Sequence, residues 1–331
     1  MLWVDVMGVD SKNSRIFNIA TRGSALALVQ SRHIQSECQR LFPDHSFELK
    51  IMKTTGDHLQ KATEAEANAP SLPKGLFTKE LESALLDGKA DMAVHSLKDL
   101  PTELPANLKL GAITEREDVR EVLIFKKAPK TSAVQNPAQW LSNHACVATN
   151  SPRRQVQLKQ WNPGFRVVPM RGNVPTRLRK LAENKDLDAT VLARAGLNRL
   201  GYCIDADGRL TGPEAPDGLF AVVVDVDQML PCVGQGCLGI EMRSNDQETQ
   251  KIVDGLSHAD STTAANAERA FLKHMGGGCQ TPYAAFAQLK GDRIALRGKA
   301  FHDGQCHDAE LEGRATESES LGIQLAEALK P

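Results

Sequence analysis

From Ile16 onward the chain repeats one pattern: a short apolar run, a polar turn, then a longer stretch with apolar residues three and four apart. Short apolar runs pack as strands, and the three-to-four spacing lays one apolar stripe along a helix. The pattern predicts a strand at 16–20, a turn at Thr21-Arg22-Gly23-Ser24 and a helix at 25–41 with Ile34, Cys38 and Leu41 on one side. Ser24 is the predicted N-cap, since its hydroxyl can accept from a first-turn N–H that has no helical partner. A strand at 47–52 follows, then a helix at 76–86 with Phe77, Leu81, Ala84 and Leu85 on one face. Between them, 61–73 is rich in Ala, Glu, Asn and Pro and reads as a mobile connection. A strand at 91–95 then runs into Ser96-Leu97-Lys98-Asp99-Leu100-Pro101.

The middle of the chain repeats the plan, with strands at 145–149, 166–170 and 189–193 and helices starting at Pro152, near Val174 and at Gly196. Alternating strands and helices imply parallel sheets with right-handed crossovers. Pro and Gly across 205–218 mark a surface excursion. Beyond Val233-Gly234-Gln235-Gly236 the pattern changes to a helix at 258–274, a hairpin of 284–289 and 293–299 turning at Gly291-Asp292, and a closing helix at 319–329. Two α/β domains and a smaller α+β domain are expected.

At 331 residues the chain is long enough for two or three such cores. A formal net charge of −1 argues against a general nucleic-acid or membrane surface, so any anion binding must come from a local cluster. The seven cysteines are scattered without paired CxxC spacing, which gives no zinc signature and fits reduced thiols in a cytoplasm. No metal is expected. Met1 to Arg15 lacks a basic opening and an unbroken apolar core and reads as an irregular leader rather than a secretory signal.

Three strand-to-helix turns carry arginine: Arg22 before the Ser24 cap, Arg153 and Arg154 after Ser151-Pro152, and Arg171 before Gly172-Asn173, with Arg177 one turn further on. Helix N-termini present unpaired N–H groups, and arginine adds a fork that matches a carboxylate. Taken singly, each arginine is as well explained as a solvated surface residue. Their recurrence at the carboxyl ends of parallel strands, where ligands bind in open α/β sheets, points to one polyanionic ligand. Asp99 reads either as a turn residue or as a carboxylate held among cations and able to pair with N–H groups. His95 reads as a packing or hydrogen-bonding residue. Cys279, in Gly276-Gly277-Gly278-Cys279-Gln280-Thr281-Pro282, is either an ordinary loop cysteine or a thiol with room to carry a bulky group.

In order along the chain, Ala20-Thr21-Arg22-Gly23-Ser24, Thr54-Thr55-Gly56-Asp57, Lys74-Gly75-Leu76-Phe77-Thr78-Lys79-Glu80-Leu81-Glu82 and Val94-His95-Ser96-Leu97-Lys98-Asp99-Leu100-Pro101 resemble the porphobilinogen deaminase (hydroxymethylbilane synthase) family. The resemblance continues through Arg153-Arg154-Gln155, Arg171-Gly172-Asn173 with Thr176-Arg177-Leu178, Ala195-Gly196-Leu197, Val233-Gly234-Gln235-Gly236, Ala267-Glu268-Arg269-Ala270 and Gly277-Gly278-Cys279-Gln280.

The resemblance implies two periplasmic-binding-protein-like α/β domains around a cleft plus a smaller α+β C-terminal domain. Its expected bounds are a leader at 1–14, a first domain at 15–116 and 237–256, a second at 117–236 and a third at 257–331. It further implies a dipyrromethane cofactor joined to Cys279 by a thioether, and condensation of four porphobilinogen molecules with loss of ammonia, then hydrolysis to hydroxymethylbilane. By the same likeness Asp99, Lys98 and Arg22 are the expected catalytic residues. Lys98, Asp99, Ser96, Thr149, Ser151, Arg153, Arg154, Arg171 and Gly172 are expected around the cofactor. Arg22, Ser24, Phe77, Arg171, Arg177, Ala195 and Gln235 are expected around substrate, with Phe77 either stacking on the terminal ring or packing in its helix. Porphobilinogen and the growing oligopyrrole are the expected partners of a cytoplasmic monomer.

The chain departs from the family pattern at Asn150 and Pro152, where Thr-Ser-Ser-Leu commonly precedes the paired arginines, in the segment 62–73, and at the extra cation Arg194. Two rival readings remain. A non-catalytic anion-binding protein explains the arginine turns but leaves Cys279 without a purpose, and a thiol-dependent transferase explains Cys279 but has no evident histidine partner in sequence.

Overall fold

The computed structural model describes residues 14–53, 78–126, 137–278, 280–302 and 304–330. The leader up to residue 13, the segment 61–73, Phe77 and Cys279 lie outside the described residues, as does the predicted start of the helix at 76.

The first sheet has the strand order β2-β1-β3-β12-β4, from β1 (Ile16–Arg22), β2 (Ser46–Met52), β3 (Met92–Ser96), β4 (Leu108–Ile113) and β12 (Leu238–Arg243). Helices α1 (Ala25–Leu41) and α2 (Lys79–Leu86) pack against it. The Ser24 hydroxyl accepts from Ala27 N–H, as the sequence predicts. One face buries Phe17, Ile19, Ile34, Val94 and Ile240, and the other buries Ala20, Leu81, Leu85 and Ala93. This two-sided burial explains why the central strands are nearly continuous apolar runs.

A second sheet runs β11-β5-β8-β6-β7, from β5 (Glu121–Phe125), β6 (Cys146–Ala148), β7 (Arg166–Val168), β8 (Ala189–Ala193) and β11 (Phe220–Val224). Its helices are α3 (Pro152–Trp161), α4 (Val174–Glu183) and α5 (Arg194–Arg199), and a short ribbon of β9 (Cys203–Ile204) and β10 (Leu210–Thr211) occupies the predicted excursion. The third unit is a meander of β13 (Ala284–Lys290), β14 (Arg293–His302) and β15 (Gln305–Arg314), covered by α7 (Ala259–His274) and α8 (Ser318–Leu329). Helix α6 (Gln247–Asp254) packs on the first sheet.

The expectation of wholly parallel sheets is corrected. β1 pairs parallel with β2 and β3, and β6 with β7 and β8, but β12 is antiparallel to β3 and β4, and β5 is antiparallel to β8 and β11. The chain leaves the first sheet after β4, enters the second as β5, and returns after β11 to insert β12. Each crossing strand therefore comes from the opposite end. β4, β5, β11 and β12 escape the strand-turn-helix pattern because no amphipathic helix directly joins them into a parallel pair. β15 escapes because much of its length faces solvent.

The crossing segments are tightly fitted. Gly236 has φ +93, and a β-carbon there would collide with the main-chain oxygen of Glu117. Glu268 of α7, wholly buried, accepts from Arg116 Nη1 at 2.6 Å, Arg116 Nη2 at 3.1 Å, Gly234 N–H at 2.7 Å and Ala287 N–H at 2.9 Å. One carboxylate thus joins both crossing segments to the third unit.

Candidate active site

The loops at the carboxyl ends of the parallel strands meet at the boundary between the first two sheets. Ser96, Lys98, Leu26 and Gln30 from the first line a pocket with Ala193, Ala195, Gly196 and Arg199 from the second, and Gln235 and Gly236 from the returning segment. An adjoining pocket is lined by Arg22, Ser24, Thr78, His95, Ser96 and Asp99. This places Arg22, Ser24, Ser96, Lys98, Asp99, Ala195 and Gln235, all expected from sequence, along one cleft.

Asp99 sits on a single 3₁₀ turn, Leu97–Asp99, directly after β3. Leu97 and Leu100 are buried against Ile113, Cys237 and Ala265, which fixes the turn and leaves the Asp99 side chain exposed. Arg269 of α7 adds a clamp from the third unit, donating to the main-chain oxygens of Leu100 at 3.2 Å and Pro101 at 2.7 Å. Burial of that guanidinium lowers it to about 10.

Lys98 Nζ donates to Gln235 Oε1 at 3.3 Å, and Gln235 Nε2 donates to the main-chain oxygen of Val119 at 2.7 Å. Burial lowers the Lys98 ammonium; Asp99 works against that, Arg154 with it, and Glu121 against it. Ser96 Oγ accepts from Gln30 Nε2 at 2.9 Å.

Across the cleft, Ser151 caps α3, accepting from Arg154 N–H, with Pro152 at the helix start where no N–H is needed. Thr149 is buried, and its Oγ1 accepts from Ser151 N–H at 3.2 Å. Asn150, one of the departures from the family pattern, accepts from Met170 N–H at 2.7 Å and ties the β6 and β7 turns together. Gly172 has φ +124, and its main-chain oxygen accepts from Arg177 Nε at 2.7 Å. Burial lowers Arg177 to about 10, with Arg154 acting in the same direction and Asp99 opposing it. Asp99 and Arg177 therefore interact electrostatically although they rise from different sheets.

Arg153 and Arg154 are placed differently from the expected pair of open carboxylate binders. Both are buried around the wholly buried Glu121: Arg153 Nη2 donates to Oε1 at 2.5 Å, and Arg154 Nη2 to Oε2 at 2.7 Å. Arg153 Nη1 also donates to the main-chain oxygen of Leu230 at 2.7 Å. Two cations on one acid leave a positive excess beside Lys98 and Arg177. The pair thus gives the cleft a positive field from below, with Arg153 held inward. Arg171 is half-buried on the β7 turn, with its main-chain oxygen accepting from Lys180 Nζ at 3.2 Å.

Burial opposes ionisation of Glu121, but Arg154 and Arg153 outweigh it and hold the carboxyl far below the ordinary carboxylate range. A carboxyl depressed in the folded state stabilises above its unfolded value and loses that contribution as pH falls. Glu121→Gln is expected to destabilise the protein by about 3 kcal/mol or more at neutral pH. The deficit should narrow as pH falls below about 4.3; denaturant unfolding at pH 7 and pH 3.5 measures it.

Sequence reasoning missed Glu121, Gln30, Arg116 and Cys232. The signal for Glu121 is an acid opening the apolar run Val122-Leu123-Ile124-Phe125. Cys232 is half-buried; burial raises its thiol, Arg153 and Lys98 pull it down, and Asp99 and Glu121 push it up, placing it within the same charge cluster. Among the described residues no helix is long and apolar enough to cross a membrane, and no group of three His, Cys, Asp or Glu side chains is arranged to hold a metal.

Residues 17–251 match the family model described as porphobilinogen deaminase, dipyromethane cofactor binding domain, and 262–331 match porphobilinogen deaminase, C-terminal domain. The chain is 40% identical over 317 residues to a porphobilinogen deaminase of Syntrophomonas wolfei, covering 95% of each chain. It is 41% identical over 313 residues to one of Geobacter sulfurreducens, covering 94% of this chain and 90% of that one. Among solved structures it is similar to HinK, a LysR family transcriptional regulator from Pseudomonas aeruginosa, at TM-score 0.43 and 11% identity over 73% of this chain and 69% of that chain. With both domain models matched in order and this identity sustained over nearly the whole length, the chain belongs to the porphobilinogen deaminase family.

Proposed function

We propose that this protein condenses four porphobilinogen molecules head to tail, releases ammonia at each step and frees hydroxymethylbilane by hydrolysis, in the service of tetrapyrrole biosynthesis. The observation that carries the reading is the exposed Asp99, fixed on a buried turn beside Lys98 and interacting with Arg177 of the facing sheet. A carboxylate so placed can accept from pyrrole N–H groups and stabilise the positive charge that develops as ammonia departs.

The donor set fits a dipyrromethane, whose acetate and propionate groups make it a polyanion. Lys98, Arg177, Arg171 and the hydroxyls of Ser96 and Ser151 would hold those carboxylates, over the positive field of Arg153 and Arg154. Cys279 would carry the thioether. When bound, the group supplies a pyrrole carbon nucleophile and a permanent anchor for the product chain. Thr149, Gly172 and Ser24 shape their turns: a hydroxyl accepts from the N–H two residues on, a left-handed glycine aims its oxygen at Arg177, and a cap orders α1. Arg22, lining the Asp99 pocket, would bind the carboxylates of incoming substrate. Gln235 positions Lys98. One chain supplies this whole set, which supports a monomer as the working unit. The six described cysteines are unpaired, which supports a reducing compartment such as the cytoplasm.

Intact-protein mass tests the reading. The purified chain is expected to exceed its sequence mass by a dipyrromethane, and Cys279→Ser to lose that addition together with turnover. An unmodified chain with full activity on porphobilinogen would overturn it.

A further inference from the structure

Beneath Asp99 lies a set of ionisable groups without a part in the chemistry above. His95, on β3, lines the same pocket as Arg22, Ser96 and Asp99. Its Nε2 lies 3.0 Å from Oε2 of Glu241 on the antiparallel neighbour β12, close enough for an ion pair but outside hydrogen-bonding geometry. Glu241 is wholly buried, and among the described residues neither of its water-sealed carboxylate oxygens has a hydrogen-bond donor. Glu82 of α2 faces the same place: burial raises its carboxyl, a bond from Thr78 opposes this, Glu241 adds to it, and His95 and Glu80 act in opposite senses. Among the described residues the other charged groups near His95 are Arg22 of β1 and Lys98 and Asp99 of the turn, while α1 presents the neutral Gln30.

An ionised carboxylate held in the interior without donors is strongly unfavourable unless a positive charge faces it or a proton neutralises it. Among the described residues His95 is the group that faces Glu241 at ion-pair distance, so the two are placed to share a proton. We propose that His95 and Glu241, with Glu82 behind them, hold one exchangeable proton at the floor of the Asp99 pocket and serve as the proton store for each condensation. In every cycle the aminomethyl C–N bond breaks with its electron pair going to nitrogen, a C–C bond forms, and one C–H proton is freed. The store gives its proton, through His95, to the departing amine, which leaves as ammonia, and it regains one from the ring carbon. No proton is gained or lost over the cycle. His95 and Glu241 thus act beside Asp99: Asp99 stabilises charge, and the pair moves the proton.

The inference rests on porphobilinogen being the substrate, which turnover by the wild-type holoenzyme in the same assay tests separately. His95→Asn, Glu241→Gln and the double variant should be compared with it. Glu241→Gln is expected to shift one limb of the kcat–pH profile by about one unit or more, the scale on which a neighbouring charge moves a titration. The double variant replaces the pair by two neutral amides, which removes the buried-charge penalty. It is expected to melt near the wild-type temperature yet lose about 100-fold in kcat, at the low end of general acid–base effects, with KM little changed. Without substrate, ¹⁵N-histidine spectra should show a His95 ring signal that moves in Glu241→Gln. A double variant with wild-type kcat and pH profile, or a His95 signal and profile both indifferent to Glu241→Gln, would overturn the proposal.

Discussion

Asp99→Asn should leave the folded protein intact and reduce kcat by at least about 100-fold, the scale seen when one electrostatic stabiliser is removed from a transition state. The argument is local. Leu97 and Leu100, not Asp99, anchor the 3₁₀ turn in the core, and the Asp99 side chain is exposed, so an isosteric amide disturbs little packing. The amide keeps an oxygen able to accept from a pyrrole N–H but loses the negative charge that opposes Lys98 and Arg177. KM should change less than kcat, because the cations proposed to bind the carboxylates of substrate remain. Steady-state kinetics with porphobilinogen, paired with a thermal melt, separates the two effects. Near-normal kcat would return Asp99 to a turn-forming role.

Glu268→Gln should be the most destabilising single change among the described charged residues of the third unit. The native carboxylate accepts four bonds, two from Arg116 and one each from Gly234 and Ala287, and is wholly buried. An amide presents an N–H face to donors and leaves the Arg116 guanidinium buried without its counter-charge, an error that costs about 3–5 kcal/mol. The carboxylate binds strands, helix and crossing segments together, so the loss should appear first as looser association of the third unit. Hydrogen exchange at Gly234 and Ala287 should rise well above that of the β6 and β8 amides. Equal exchange in variant and wild type would refute this.

The legible parts of the fold are those in which one short-range signal suffices. Ser24 and Ser151-Pro152 announce helix starts, and the structure finds both serines capping as hydroxyl chemistry requires. The Gly291-Asp292 turn joins β13 to β14. The cleft residues were legible because ligands gather at the carboxyl ends of parallel strands and because the family motifs fall there. What stayed hidden depends on long-range pairing. Nothing near Glu121 in sequence indicates that Arg153 and Arg154 will close on it from the start of the helix that joins β6 to β7. The antiparallel insertion of β12 likewise follows from where the chain returns, and not from its composition. Arg153 shows the limit most clearly: the same motif that marks a helix start cannot say whether its guanidinium points to the cleft or into the core.

Glu268 and Arg269 are consecutive residues of one helix. The first grips the segments that connect the two large sheets, and the second grips the backbone just past Asp99. That helix leads into Gly276-Gly277-Gly278-Cys279. The helix therefore acts as a yoke between the third unit and the two sheets. Tilting that helix would tug the turn that carries Asp99 and both connectors at once, so the third unit and the floor of the cleft are built to move as one body.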